Sequence, residues 1–208
     1  MSVPATLVTD GSSDVVLLPI LDWLLTQVTP AEVELRWADT RGLTTSPQLA
    51  EKLAVATRLY PCAILFVHRD AENQDPELRY TEIQAAIATG LTHVCVVPVR
   101  MQEAWLLHNE AALREAADRP SGTTPLALPP RARWEQLPDP KSTLYAALRT
   151  ANGGTGRRAR TFRPARAAHR LADLITDWSP IRIRTLPAFV RLEADVRDAL
   201  TQAGVPLH

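Results

Sequence analysis

Five of the 23 acidic residues in this 208-residue sequence fall in three short polar stretches. Asp10 and Asp14 bracket Asp10-Gly11-Ser12-Ser13-Asp14. Asp70 and Glu72 lie in His68-Arg69-Asp70-Ala71-Glu72, and Glu103 closes Arg100-Met101-Gln102-Glu103. Side-chain anions brought to one place repel unless something neutralises them. A hard divalent cation does so. Mg2+, or Mn2+ in its place, takes one or two carboxylates and fills its remaining positions with water and substrate phosphate. Each stretch also has a bland reading. Asp-Gly-Ser-Ser-Asp makes a serviceable turn and helix cap, a polar five-residue run is commonly a solvated loop, and a lone histidine is more often a hydrogen-bonded wall residue than a ligand. What favours chemistry is that each stretch follows an apolar run.

Those runs read as strands of an α/β protein. Ala5–Thr9 and Glu32–Trp37 are the first two, and Cys62–Val67 and His93–Val99 are almost continuously apolar, as central parallel strands must be. Helical patterns lie between them: from Ser12 or Ser13 to about Gln27, bent at Pro19; over Pro47–Leu59, capped by Ser46; and over Tyr80–Thr89, closed by Gly90. Strand–helix alternation with short connections predicts a parallel four-stranded sheet flanked by helices. In such sheets ligands bind beyond the carboxyl ends of the strands, which is where all three acidic stretches fall.

A helix over Met101–Ala117 ends this part, and the composition then changes. We expect an α/β core over residues 1–118. Residues 119–208 would form a proline-rich connection and a mainly helical, basic C-terminal extension, with helices over Ser142–Thr150, Ala165–Asp177 and Ala188–Ala203. The net charge of zero conceals this division. Residues 1–119 hold 9 Lys and Arg against 16 Asp and Glu, net −7, whereas residues 120–208 hold 14 against 7, net +7. Two cysteines in apolar runs, Cys62 and Cys95, read as reduced thiols rather than a disulfide framework. Val15–Leu25 is broken by Pro19 and Asp22 and has no basic flank, so neither a signal peptide nor a membrane anchor is expected, and a soluble cytoplasmic protein is.

Acidic-Gly-x-Ser-Asp after one strand and Asp-x-acidic after a later one resemble the Toprim domain. That is the metal-binding fold of type IA and II topoisomerases, bacterial primases and OLD-family nucleases. Asp10 stands where that family has Glu, and Asp70-Ala71-Glu72 where it has Asp-x-Asp; each swap exchanges one carboxylate for another and alters its reach by a methylene. Val67–Glu72, Val97–Leu107, Asp139-Pro140-Lys141, Gly156-Arg157-Arg158 and Leu186–Phe189 are further similar to small stand-alone Toprim-like proteins related to the nuclease halves of two-gene bacterial anti-phage defence systems. The partner gene there encodes an ABC/AAA-type ATPase.

The resemblance implies metal-dependent phosphodiester cleavage of DNA or RNA. Asp10, Asp70 and Glu72, with Asp14, would hold Mg2+ or Mn2+. Glu103 would complete the site or act as a base, and His68, Arg69 or Lys141 would steady the transition state. Arg69, Arg100, Arg157, Arg158, Arg160 and Arg163, with Arg166 and Arg170, would contact the nucleic-acid backbone. The alternative in a different class is a non-catalytic Toprim-like subunit that binds an ATPase or nucleic acid; a homodimer is left open. A phosphorylated receiver domain fits less well, since no second acid follows Asp10 directly. No Gly-x-Gly-x-x-Gly or Gly-x-Ser-x-Gly motif supports a dinucleotide enzyme or a serine hydrolase.

Overall fold

A computed structural model describes residues 2–40, 48–71, 74–182 and 186–208. Its four strands, β1 (Val3–Val8), β2 (Val33–Trp37), β3 (Ile64–His68) and β4 (His93–Val96), form one all-parallel sheet in the order β2-β1-β3-β4. Val8 of β1 stands level with Val67 of β3, and Val67 with Cys95 of β4. The chain therefore leaves β1 for β2 on one side and returns to β3 on the other. The strand order reverses at the β1–β3 seam, and a crevice opens there at the carboxyl ends.

Why these runs form central strands is visible in their burial. Every residue of β3 is buried, with Ile64 and Phe66 facing one apolar cluster and Leu65 and Val67 the other. The crossovers put α1 (Leu17–Val28) on the first face and α2 (Leu49–Leu59) and α3 (Pro76–Ala86) on the second. The remaining helices are α4 (Glu110–Ala116), α5 (Pro140–Asn152), α6 (Gly156–Thr161), α7 (Pro164–Leu174), α8 (Ser179–Arg182) and α9 (Pro187–Gln202).

The first cluster is continuous from Leu7 of β1 through Leu24 and Trp105 to Leu171, Phe189 and Val205. Residues 119–208 thus share a core with the sheet. Phe189 meets Trp105 edge-on, with ring centroids 5.4 Å apart and planes at 86°. The chain's last residues close the same face: Thr29 Oγ1 donates to the Pro206 carbonyl at 2.6 Å, and His208 N donates to the Val28 carbonyl at 3.0 Å.

Several boundaries differ from the sequence reading, each through a local start or stop signal. A 3-10 helix, Ser12–Val16, precedes α1, so Pro19 sits in the first turn, where its missing N–H costs nothing and no bend is needed. Asp75 accepts from Glu77 N at 3.0 Å and starts α3 at Pro76 rather than Tyr80, while Ile87 turns to extended backbone and stops it. Asp139 does the same for α5 at Pro140. The expected helix over Met101–Ala117 divides into a 3-10 helix, Gln102–His108, and α4, because Asn109 Oδ1 accepts from Ala112 N at 3.0 Å and restarts the chain. The β4 ladder ends at Val96 instead of Val99. Ser46 and Pro47, expected to open α2, lie outside the described residues. Both cysteines are free, Cys95 buried and Cys62 half-buried, and no described helix is long and apolar enough to cross a membrane.

A shared core predicts one cooperative unfolding transition. Phe189→Ala should destabilise the whole chain by about 3–5 kcal/mol, measured by urea unfolding followed by both tryptophan fluorescence and circular dichroism. Two separate transitions, only one of them shifted, would contradict it.

Candidate functional site

At the rim beyond β1, Asp10 occupies an exposed turn, and at the rim beyond β3, Arg69 reaches across the seam to it. Arg69 Nε lies 2.8 Å from Asp10 Oδ1, and Arg69 Nη1 donates to Glu82 Oε1 of α3 at 2.6 Å. Desolvation pushes the Asp10 carboxyl above its ordinary value; Arg69, His68 and Lys52 oppose the rise and the nearby Asp70 charge adds to it. Lys52, from the first turn of α2, donates to the carbonyls of Thr9 at 2.6 Å and Asp10 at 3.2 Å and so fixes the turn. Burial lowers the Lys52 pKa, with Asp10 working against that.

His68 ends β3 and is buried between two acids. Its Nε2 is 3.2 Å from Asp70 Oδ1, and its Nδ1 is 3.6 Å from Asp14 Oδ2 without a hydrogen bond. Burial disfavours the imidazolium, but the Asp70 hydrogen bond and the charges of Asp70, Asp14 and Asp10 outweigh it, and the pKa rises above 6.5. Asp14 is itself a buried hub. Its Oδ2 accepts from Gly11 N at 2.7 Å, and its Oδ1 accepts from Ser13 Oγ at 3.0 Å and from Gln102 Nε2 at 2.8 Å. This staples the β1 turn to the chain after β4.

Glu103 follows Gln102 into the same region. Its side chain is 7% exposed, Lys141 Nζ of α5 stands 3.7 Å from Oε1, and Oε2 has no partner among the described residues. Desolvation raises its pKa above the ordinary 4.5, and the Asp70 and Asp14 charges add to the rise against Lys141. The structure therefore brings Asp10, Asp14, His68, Arg69, Asp70, Glu103 and Lys141 to one rim, where their charges act on one another. Glu72 lies outside the described residues. Arg100 is half-buried in the turn after β4.

The arginine run lies elsewhere. Arg157, Arg158 and Arg160 are exposed on α6, and Arg163 is exposed just before α7. Arg158 and Arg163 line a separate cleft that no described rim residue lines.

Lys52, Gln102, Glu82 and Arg79 were not singled out in the sequence. The signal was geometric: in a parallel sheet the first two turns of the following helices reach the same rim as the strand ends, which places Lys52 of α2 and Arg79 and Glu82 of α3 there.

Among the described residues no three His, Cys, Asp or Glu groups are placed to share one metal ion. The donor chemistry nevertheless fits a hard cation held by one or two carboxylates. Asp10 is exposed and Asp70 half-buried, and the buried Glu103 Oε2 and Gln102 Oε1 have no partner among the described residues. No protein-family model matches the chain, and no curated protein or solved structure shows significant similarity to it.

The Glu103 environment makes a pH-dependent prediction. A carboxyl whose pKa is raised on folding binds its proton more tightly in the native state, so its contribution falls as pH climbs from the unfolded value through the folded one. The stability of the wild type relative to Glu103→Gln should therefore decline as pH rises above about 4.5 and then level off, as read by urea unfolding between pH 4 and 8. A difference independent of pH would contradict the desolvated carboxylate.

Proposed function

We propose that the chain is a Mg2+- or Mn2+-dependent nuclease of the Toprim type that cleaves the phosphodiester backbone of DNA or RNA. The observation that carries this reading is the meeting of Asp10, Asp70 and Glu103 beyond the carboxyl ends of β1, β3 and β4, where the strand order reverses. Asp10 and Asp70, with Glu72 and with Asp14 behind them, would hold the ion, which when bound polarises a phosphoryl oxygen and acidifies water.

The chain's own residues supply the rest. His68 fixes the orientation of the Asp70 carboxylate through Nε2. Glu103, desolvated and with Oε2 free of partners among the described residues, is suited to take the proton from the attacking water, because its raised pKa moves it toward the working pH. Lys141 beside it and Arg69 across the seam offer positive charge to the transition state. Arg69 must release Asp10 for that carboxylate to face an ion, and its second contact with Glu82 keeps the guanidinium at the rim when it does. Arg100 and the exposed Arg157 and Arg160 would contact backbone phosphates. An ABC/AAA-type ATPase partner and a role in anti-phage defence, on the sequence resemblance alone, and a cytoplasmic setting, on the two free thiols, complete the proposal.

A second reading has its own support. Asp10 is already paired with Arg69 and both Asp14 oxygens are taken by hydrogen-bond donors, which suits a non-catalytic Toprim-like subunit. Nicking of plasmid, single-stranded DNA and tRNA with Mn2+ separates the two. Cleavage of at least one substrate is expected, falling by about a hundredfold or more in Asp70→Asn with folding retained. Protein that stays inert even with the ATPase encoded by a neighbouring gene would favour the binding subunit.

A further inference from the structure

The arginine run does not form a continuous track. Four of its side chains, Arg158, Arg163, Arg166 and Arg170, converge on a cleft of about 710 Å3 between α6, α7 and the ends of α4 and α5. Asp118 organises it. This residue takes a left-handed conformation, φ 59°, which aspartate tolerates better than most residues. Its carbonyl accepts from Arg158 Nη2 at 3.1 Å, and its carboxylate pairs with Arg170. The floor is tied together beneath: Asn152 Nδ2 donates to the Ala117 carbonyl at 2.9 Å. Gly153, at φ 55°, lets α5 end against Arg119, whose Nη1 would lie 2.7 Å from any Cβ added there.

The charges in the cleft are not balanced internally. Asp118 is the one acid lining it among the described residues, and Arg166 makes no hydrogen bond or ion pair among them. Four guanidiniums against one carboxylate call for a multiply charged anion, and guanidinium forks match phosphate oxygens in pairs. The volume exceeds what bare phosphate needs and falls within the range of small organic ligands. Phe162, half-buried, also lines the cleft and is the aromatic residue there against which a base would stack. Because the arginines converge on a concavity, the occupant is a compact ligand and not a strand passing over the surface.

We propose that this cleft is a binding site for a nucleoside triphosphate, with Arg158, Arg163, Arg166 and Arg170 on the phosphates and Phe162 against the base. It is separate from the acidic rim and does not depend on the rim's chemistry.

Isothermal titration of the full chain without divalent cations tests it, using ATP, GTP, inorganic tripolyphosphate and an unphosphorylated single-stranded 12-nucleotide DNA. Micromolar binding of at least one nucleotide is expected, tighter than tripolyphosphate. It should weaken by about tenfold or more for each of Arg163→Ala and Arg166→Ala, and stay unchanged in Asp70→Asn. Both arginines are exposed, so unfolding temperatures should not move. Absence of nucleotide binding, binding indifferent to the arginine substitutions, or arginine-dependent binding of the oligonucleotide alone would overturn the proposal.

Discussion

Like charges crowded at one end of a sheet are the constraint around which this molecule is arranged. Asp14 and Asp70 approach the same buried imidazole from opposite sides, and in a medium of low polarisability their repulsion would be strong without it. His68 can serve because β3 places it level with Val96 of β4, fully inside the sheet, so that its ring lies under the rim and not on it. The Arg69 side chain, one residue further on, compensates Asp10 from above. Two consecutive residues at the end of β3 thus answer two acids delivered by the exit of β1, Asp14 and Asp10, and one from their own, Asp70. The seam between β1 and β3 exists only because α1 crosses one face of the sheet while α2 and α3 cross the other.

A neutral chain therefore carries two charge systems of opposite sign. At the rim, anions dominate and cations are borrowed from neighbouring elements: Lys52 from α2, Arg79 from α3 and Lys141 from α5. In the cleft, guanidiniums dominate and one aspartate in an unusual backbone conformation holds two of them in place. Helix α7 packs against the 3-10 turn that carries Asp14 and also lines the basic cleft with Arg166 and Arg170. Fields of this kind steer charged ligands over distances that single contacts do not.

The parallel sheet was legible in the sequence because β3 and β4 are apolar at nearly every position, which only a strand covered on both faces tolerates. The meeting of Asp10 with Asp70 followed from the rule that strand ends share a rim. What could not be read was how these acids are neutralised. The partners of Asp10 and Glu103 come from side-chain reach across 59 and 38 residues of sequence, and no local pattern encodes that. The arginine run illustrates the same limit. Its composition announced phosphate chemistry, but the division of Arg157 and Arg160 from Arg158 and Arg163 depends on where α6 stops, at Thr161, and on the turn into Pro164. Helix starts were missed where Asp75-Pro76 and Asp139-Pro140 gave capping signals that compete with hydrophobic periodicity.

The last helix has a bearing on how the molecule is made. Phe189 covers Trp105, α9 packs against β4, and the residues after α9 bond back to the end of α1, so the part of that sheet face beside β4 stays uncovered until α9 has been synthesised. Contacts spanning that much sequence are slow to close. A nascent chain that ends short of α9 would present Trp105 and its neighbours to water, and it would be exposed to aggregation until synthesis reached that helix.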